Sequence, residues 1–396
     1  MGRQLTAGVI MDKDVLTAPY TTGSLVAVAK LTGSKLTASL DRLRHAAGFS
    51  VAVVLLGSLP VRAMADFILF PAVTGTQRSI DRPTDQLKKY QLLPELDVFY
   101  SADRGRFRFL SEFLTSSEEP IDVERLQLGW LTGSETTVWF GRHHSPLGYW
   151  NTQFHHGVFM QTAITRPAIS TFEDHSGVLP VHVTGLFAEG QHTINDAAVP
   201  YSFSMGLGPN LSAEEGEEGL EPLDLLHIYR GEHKLVTTFR LGYRPDTTAA
   251  TEAGIFINHG LIPSNLTSAH EIRQNIGGVY ANWEQGGVRL IGEIYAVHNT
   301  LKGADTTSTG GFISGDLQAE YTLVVDWTLY GRMENAFGDD NDPYLANFPD
   351  FMRQRNLAGA RVELDEHQAL KIELANIQIQ DERFNQIALQ WSAVFP

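Results

Sequence analysis

The side chains with the widest chemical range gather in one stretch, from Gly141 to His175. His143, His144, His155, His156 and His175 fall within 33 residues, beside the adjacent carboxylates Glu173 and Asp174. Imidazole nitrogens suit Zn, Cu or Ni, which makes His143, His155, His156 and His175 candidate metal ligands. The spacing argues the other way. No pair stands at i, i+4, and neighbours such as His143 and His144 point to opposite sides of a strand. A second use for the segment is as the polar lining of a constriction, formed by Arg142, His143, His144, His155, His156, Glu173 and Asp174. A third use is nucleophilic. His143 and Ser145 share one strand face, and a His within hydrogen-bond reach activates a Ser. Asn151 would then orient the imidazole, although Pro146 directly after the serine disfavours the arrangement. With no cysteine in the chain, thiolate ligation, a thiol nucleophile and disulfides are all excluded. No cofactor is expected.

The scaffold that must hold these residues is bounded by composition. A formal charge of −16 argues against wrapping nucleic acid, whose phosphates are neutralised by Lys and Arg. No run of 18 apolar residues exists, so no helix is expected to span a bilayer. That test is silent on membrane strands, where lipid-facing residues come at every second position. Gly206-Leu207-Gly208 and Gly277-Gly278 lack the lysine and the strand–turn–helix setting of a phosphate loop, and fit strand bends or close packing.

Residues 41–65 read as a secretory signal peptide. Arg42 and Arg44 precede an eleven-residue apolar core at 49–59, and Ala63-x-Ala65 is the small-x-small pattern of a processing site. The core is too short for a spanning helix; a buried helix of the mature fold is the alternative. Residues 1–40, poor in pattern and rich in Thr, Ala, Leu and Gly, are expected to be a non-native extension ahead of a true start near residue 40. The leader carries seven Lys and Arg against three Asp and Glu, so residues 66–396 hold a formal −20.

From residue 66 onward, polar and apolar residues alternate with period two, as in a half-buried strand. Along 313–323, Ile313, Leu317, Ala319, Tyr321 and Leu323 share one face, and Asp316, Gln318 and Glu320 the other. Such runs are about ten residues long, the length a tilted strand needs to cross a bilayer. Sixteen strands are expected: 67–73, 95–102, 106–115, 124–132, 136–144, 181–189, 201–208, 223–230, 234–244, 274–284, 288–298, 312–323, 325–336, 356–364, 369–379 and 386–395. Loss of the weakest would leave twelve or fourteen. The joins alternate in length. Those at 103–105, 133–135, 231–233, 285–287, 324–325 and 365–367 are tight, whereas 145–180, 209–222, 245–273, 299–311 and 337–355 are long. Short turns on one side and long loops on the other mark an outer-membrane barrel. Two joins break the pattern: 190–200 is long for its side and 380–385 short. Trp130, Trp283, Trp327, Trp391, Tyr100 and Tyr243 fall near strand ends, where interfacial girdles form. The fold class is thus all-β: a closed, transmembrane antiparallel β-barrel of about sixteen strands over 66–396.

The last strand carries the sharpest likeness. Ile387, Leu389, Trp391, Ala393 and Phe395 share a face, and the segment resembles the closing strand of bacterial outer-membrane porins, apart from the final Pro396. The resemblance implies that Trp391 and Phe395 form the signal read by the barrel-assembly machinery. It implies a protein of the bacterial outer membrane, in contact with its lipid and lipopolysaccharide, that passes small hydrophilic solutes by passive diffusion, as a monomer or a homo-oligomer. In porins one long loop commonly turns into the pore, so 141–180 is the expected constriction loop. Pore-lining charge is expected from Arg106, Arg108, Arg125, Arg240, Arg244 and Arg289 on one part of the wall. Glu293, Asp316, Glu320, Asp326, Glu334, Glu363 and Glu373 would line the other, with Arg332, Arg361 and Lys371 among them. Charged walls filter ions at close quarters. Two alternatives stand beside the channel: a closed structural or docking barrel, and a lipid hydrolase. The His143–Ser145 spacing is similar to that of outer-membrane phospholipase A, but the flanking sequence is not.

Overall fold

The computed structural model describes residues 64–396, apart from 81–82, 84–86, 118–120, 134, 155–156, 174–175, 215–216, 227–230, 267–268, 325, 339–341 and 381. The expected extension, and the expected leader up to Ala63, lie outside the described residues.

The strands are β1 (Met64–Arg78), β2 (Tyr90–Arg104), β3 (Phe107–Ser116), β4 (Asp122–Leu131), β5 (Thr136–His144), β6 (His182–Ile194), β7 (Ala197–Leu207), β8 (Asn210–Glu214) and β9 (Glu217–Glu221). They continue with β10 (Leu235–Tyr243), β11 (Glu252–Pro263), β12 (Glu271–Gln285), β13 (Val288–Lys302), β14 (Thr307–Val324), β15 (Trp327–Gly338), β16 (Met352–Asp365), β17 (Gln368–Ile379) and β18 (Glu382–Ala393). Sixteen of them form one closed barrel, and β8 with β9 makes a separate hairpin. Each barrel strand pairs antiparallel with its neighbour in the chain. β18 closes the ring on β1, with Ala72–Arg78 in register with Gln386–Ser392. Beyond that ladder Phe395 and Leu69 exchange backbone hydrogen bonds of 2.8 and 2.9 Å. Closure leaves no open edge, the condition for backbone polar groups to survive in hydrocarbon.

Alternation sets which face each residue takes. On β14, Ile313, Leu317 and Leu323 are exposed on the outside, and Asp316, Gln318 and Glu320 are buried inside. The same division holds on β10, with Phe239, Leu241 and Tyr243 out and Val236, Thr238 and Arg240 in. The outer surface is therefore a band of Leu, Ile, Val, Phe and Met suited to lipid. Trp130, Trp283, Trp327 and Tyr243 are exposed, each beside a join of the tight-turn end, and form an aromatic girdle there.

Sixteen barrel strands match the expectation in number, but two errors cancel. Among 223–226 there is no strand, and β11 arises inside the expected loop 245–273. The inner face of β11 carries Phe256 and Ile262, both buried. They place apolar residues beside the outward Ile255, Ile257 and Leu261 and erase the period-two pattern. As a result β10 runs opposite to the expected direction. The turn expected at Gly231-Glu232-His233 belongs to the long-loop end, and 244–251 is the short join below it. The expected long join at 190–200 is in fact the turn 195–196, with Asn195 at φ 54°, in the left-handed region that Asn tolerates. The short join at the long-loop end persists between Ile379 and Glu382. Glycines permit close strand approach at Gly278, where a Cβ would come within 2.1 Å of the Phe256 ring.

Candidate functional site: the lumen and its inserted loop

The chain leaves β5 after His144 and re-enters the sheet at His182. In between, the described residues of 145–181 include the short helix α1 (Trp150–Gln153) and 3-10 turns at Val158–Met160 and Ala168–Ser170. Irregular backbone must find partners for its N–H and C=O groups. Here the barrel wall supplies them from inside. Glu293 on β13 accepts the N–H of Trp150 at 2.8 Å and that of Tyr149. Asp97 on β2 accepts from Gly157 at 2.9 Å, Glu334 on β15 from Ala168 at 2.7 Å, and Glu373 on β17 from Ile164 at 3.1 Å. Glu320 accepts the Thr162 hydroxyl at 2.9 Å. Cations serve the carbonyls. Lys371 donates to Val158 at 2.6 Å, Arg361 to Gln161 at 2.8 Å, Arg332 to Thr165 at 2.8 Å, and Arg355 to Arg166. Hydrogen bonds with one charged partner are the stronger kind. The loop thus lies within the barrel, tied to walls far apart around the ring. Leu147, Trp150, Ile169 and Leu179 add an apolar contact to Phe256, Ile262, Ile291 and Tyr295 of the wall.

This arrangement redistributes the lumen charge. Glu293, Glu320, Glu334, Glu373, Arg332, Arg361 and Lys371 lie on the inner side of the barrel, buried against the loop. Asp316 is buried among them, in register with both Glu293 and Glu334. Glu363 pairs with Arg361 at 2.6 Å. Opposite them, Arg108, Arg125, Arg240 and Arg244 line a cavity of about 510 Å³, together with Glu189 and Glu252. Arg125 pairs with Glu112 at 2.5 Å, and Arg240 and Arg244 share Glu252 at 2.5 and 2.7 Å. Arg108 donates to Thr137 at 3.1 Å. Arg289 donates to Asn282 at 2.8 Å and to the Tyr149 hydroxyl at 3.3 Å. Burial pushes that hydroxyl's pKa up.

Two expected pore-lining residues are not on the wall. Arg106 and Asp326 sit exposed in the tight joins β2–β3 and β14–β15. Strand ends were read one or two residues too far, and a charged residue at a turn fits either reading. Within the loop segment, Arg142 belongs to β5, where it donates to the Leu223 carbonyl at 3.0 Å and lies 3.6 Å from Asp122. It does not face the acidic wall. His155, His156, Asp174 and His175 lie outside the described residues. The proposed catalytic arrangement does not assemble. His143 hydrogen-bonds Ser204 at 2.7 Å, Ser145 bonds Thr238 at 2.7 Å, and Asn151 accepts from Arg166. Across a twisted sheet, the partner from the next strands is nearer than the residue two along.

Glu173 acts as a capping group at the loop's return. Its Oε1 accepts the N–H groups of Val181 and His182 at 2.6 and 2.8 Å, and its Oε2 meets His182 Nδ1 at 2.8 Å. Several residues that hold the loop escaped sequence reasoning: Asp97, Arg166, Arg355, Glu124 and His182. Asp97 fell inside an expected strand at an alternating position and was legible in principle. Arg355 stood one residue before its expected strand.

No protein-family profile matches the chain, and no curated sequence does. Solved structures do. An anion-selective porin from Comamonas acidovorans aligns at 11% identity over 84% of this chain and 100% of its own, with a TM-score of 0.59. The outer-membrane channel DcaP of Acinetobacter baumannii aligns at 10% identity over 84% and 97%, with a TM-score of 0.56. Salmonella typhi OmpF, in complex with daunomycin, aligns at 10% identity over 84% and 97%, with a TM-score of 0.54. At such identities the likeness is one of architecture: this chain has the sixteen-stranded barrel fold of outer-membrane porins.

Proposed function

We propose that the protein is a passive channel of the bacterial outer membrane for small hydrophilic solutes, with the loop 145–181 as its constriction. One observation carries the reading: charged side chains along the β13–β17 wall hold the loop's backbone inside the barrel, as in Glu293 to Trp150 and Lys371 to Val158. A loop so held narrows the passage and leaves the arginine-bearing wall of β3, β4 and β10 to face what remains. Residues 41–65 serve as the export signal in this proposal, and Trp391 and Phe395 as the assembly signal. Purified protein in planar bilayers should give stepwise, ohmic conductance. A complete lack of conductance would instead favour a closed docking barrel. Lipid hydrolysis should be absent, because His143 serves Ser204 and not Ser145.

A further inference from the structure

We infer that Glu124, His144 and His182 form a divalent transition-metal site, of the type that takes Zn²⁺, at the neck of the inserted loop. The strands that bracket the loop bring the ligands together. His144 ends β5, His182 begins β6, and the two are register partners. Glu124 comes from the neighbouring strand β4. One ligand atom from each lies within 4.8 Å of the others, and all three side chains are buried.

The geometry is close to a coordination shell. Glu124 Oε2 lies 2.8 Å from His182 Nε2 and 3.2 Å from His144 Nε2. Ligand atoms about 2.0–2.1 Å from a tetrahedral zinc stand about 3.3 Å apart, so small shifts would admit the ion. The hydrogen bonds around His182 also suit a metal ligand. Glu173 takes the His182 Nδ1 at 2.8 Å, the carboxylate–histidine pairing that orients a metal-binding imidazole. The Nε2 of His182 lies 2.8 Å from Glu124 Oε2, where an ion would take the place of a shared proton. Glu124 Oε1 is buried and meets no hydrogen-bond donor, which leaves it available as a second oxygen ligand. Access exists from two sides, since His144 borders the 510 Å³ cavity and Glu124 a second one of about 450 Å³. An ion here would link both ends of the loop to β4.

The full chain, folded in detergent and stripped with EDTA, is titrated with ZnCl₂, and the bound metal is counted by plasma mass spectrometry. One zinc per chain is expected. The double variant His144→Ala/His182→Ala should bind at least 100-fold more weakly, with the heat-resistant folded band on a gel verifying the barrel. The variant His155→Ala/His156→Ala/His175→Ala should keep wild-type binding. Should the first variant fail to fold, X-ray absorption at the zinc edge of the wild-type protein decides, with two imidazoles and carboxylate oxygen expected around the ion. Four results would each overturn the site: no zinc retained by the wild type, undiminished binding by the folded double variant, loss of binding in the 155/156/175 variant, or a shell without two imidazoles. Binding is read without conductance, so a silent channel leaves this inference standing.

Discussion

Glu293 on the barrel wall accepts the backbone N–H of Trp150 at 2.8 Å, a link across 143 residues of chain. Glu293 is buried, and Tyr295 donates to its other oxygen at 2.7 Å. Replacing it with Ala leaves two N–H groups at the start of α1 without their acceptor. Losing hydrogen bonds to a charged group costs about 1.5–3 kcal/mol. Glu293→Ala should therefore lower hydrogen-exchange protection at Tyr149 and Trp150 about 10- to 100-fold. Heat unfolding of the barrel should change little, because loop and strand ladder open separately. Unaltered protection at those two amides would show that the apolar contacts alone hold the loop.

Removal of residues 149–175, bridged with Gly and Ser, tests the constriction directly. The strand ladder closes without the loop, so the barrel should still assemble. Conductance should rise and ion selectivity weaken, measured in planar bilayers against the intact protein. Equal conductance and equal selectivity in the two would end the assignment of this loop as the narrow point.

Charge on the exposed wall should tune selectivity. Arg244 is half-buried on the 510 Å³ cavity and shares Glu252 with Arg240. Arg244→Glu exchanges a positive for a negative charge on that surface. The reversal potential in a salt gradient should move toward cation preference, and the shift should shrink at high salt as screening grows. A reversal potential that stays in place would mean that ions do not pass along this wall.

The final strand should be needed for assembly. β18 pairs with β17 on one side and β1 on the other, and Phe395 adds the last rung to Leu69. Deleting residues 387–396 exposes two strand edges at once. The truncated protein should accumulate outside the outer-membrane fraction and lack the heat-resistant folded band on a gel. Insertion at the wild-type level would contradict the closing role of β18.

The period-two pattern of strands such as β14 and β18 was legible in the sequence because each has an exposed apolar outer face and a polar inner one. Surroundings of opposite polarity write the alternation into the residues themselves, and with it the barrel class and the outward face; the count of sixteen came right only because the missed β11 offset the strand expected at 223–230. That reading failed at β11, where apolar residues also stand at inner positions. Phe256 and Ile262 face Trp150 and its neighbours in the loop, so these inner positions are as apolar as the outward Ile255 and Ile257, and only tertiary packing explains why. The charged lumen residues were legible as a set, but not their purpose. Glu293, Glu334 and Glu373 bind the loop's backbone, and backbone N–H groups leave no trace in a sequence. The same limit hid the pairing of His144 with His182, which are 38 positions apart in the chain and meet only through the register of β5 on β6. Local chemistry is set by residue type and spacing along the chain; which side chains meet is decided by strand register and by where an irregular loop finds partners for its polar backbone.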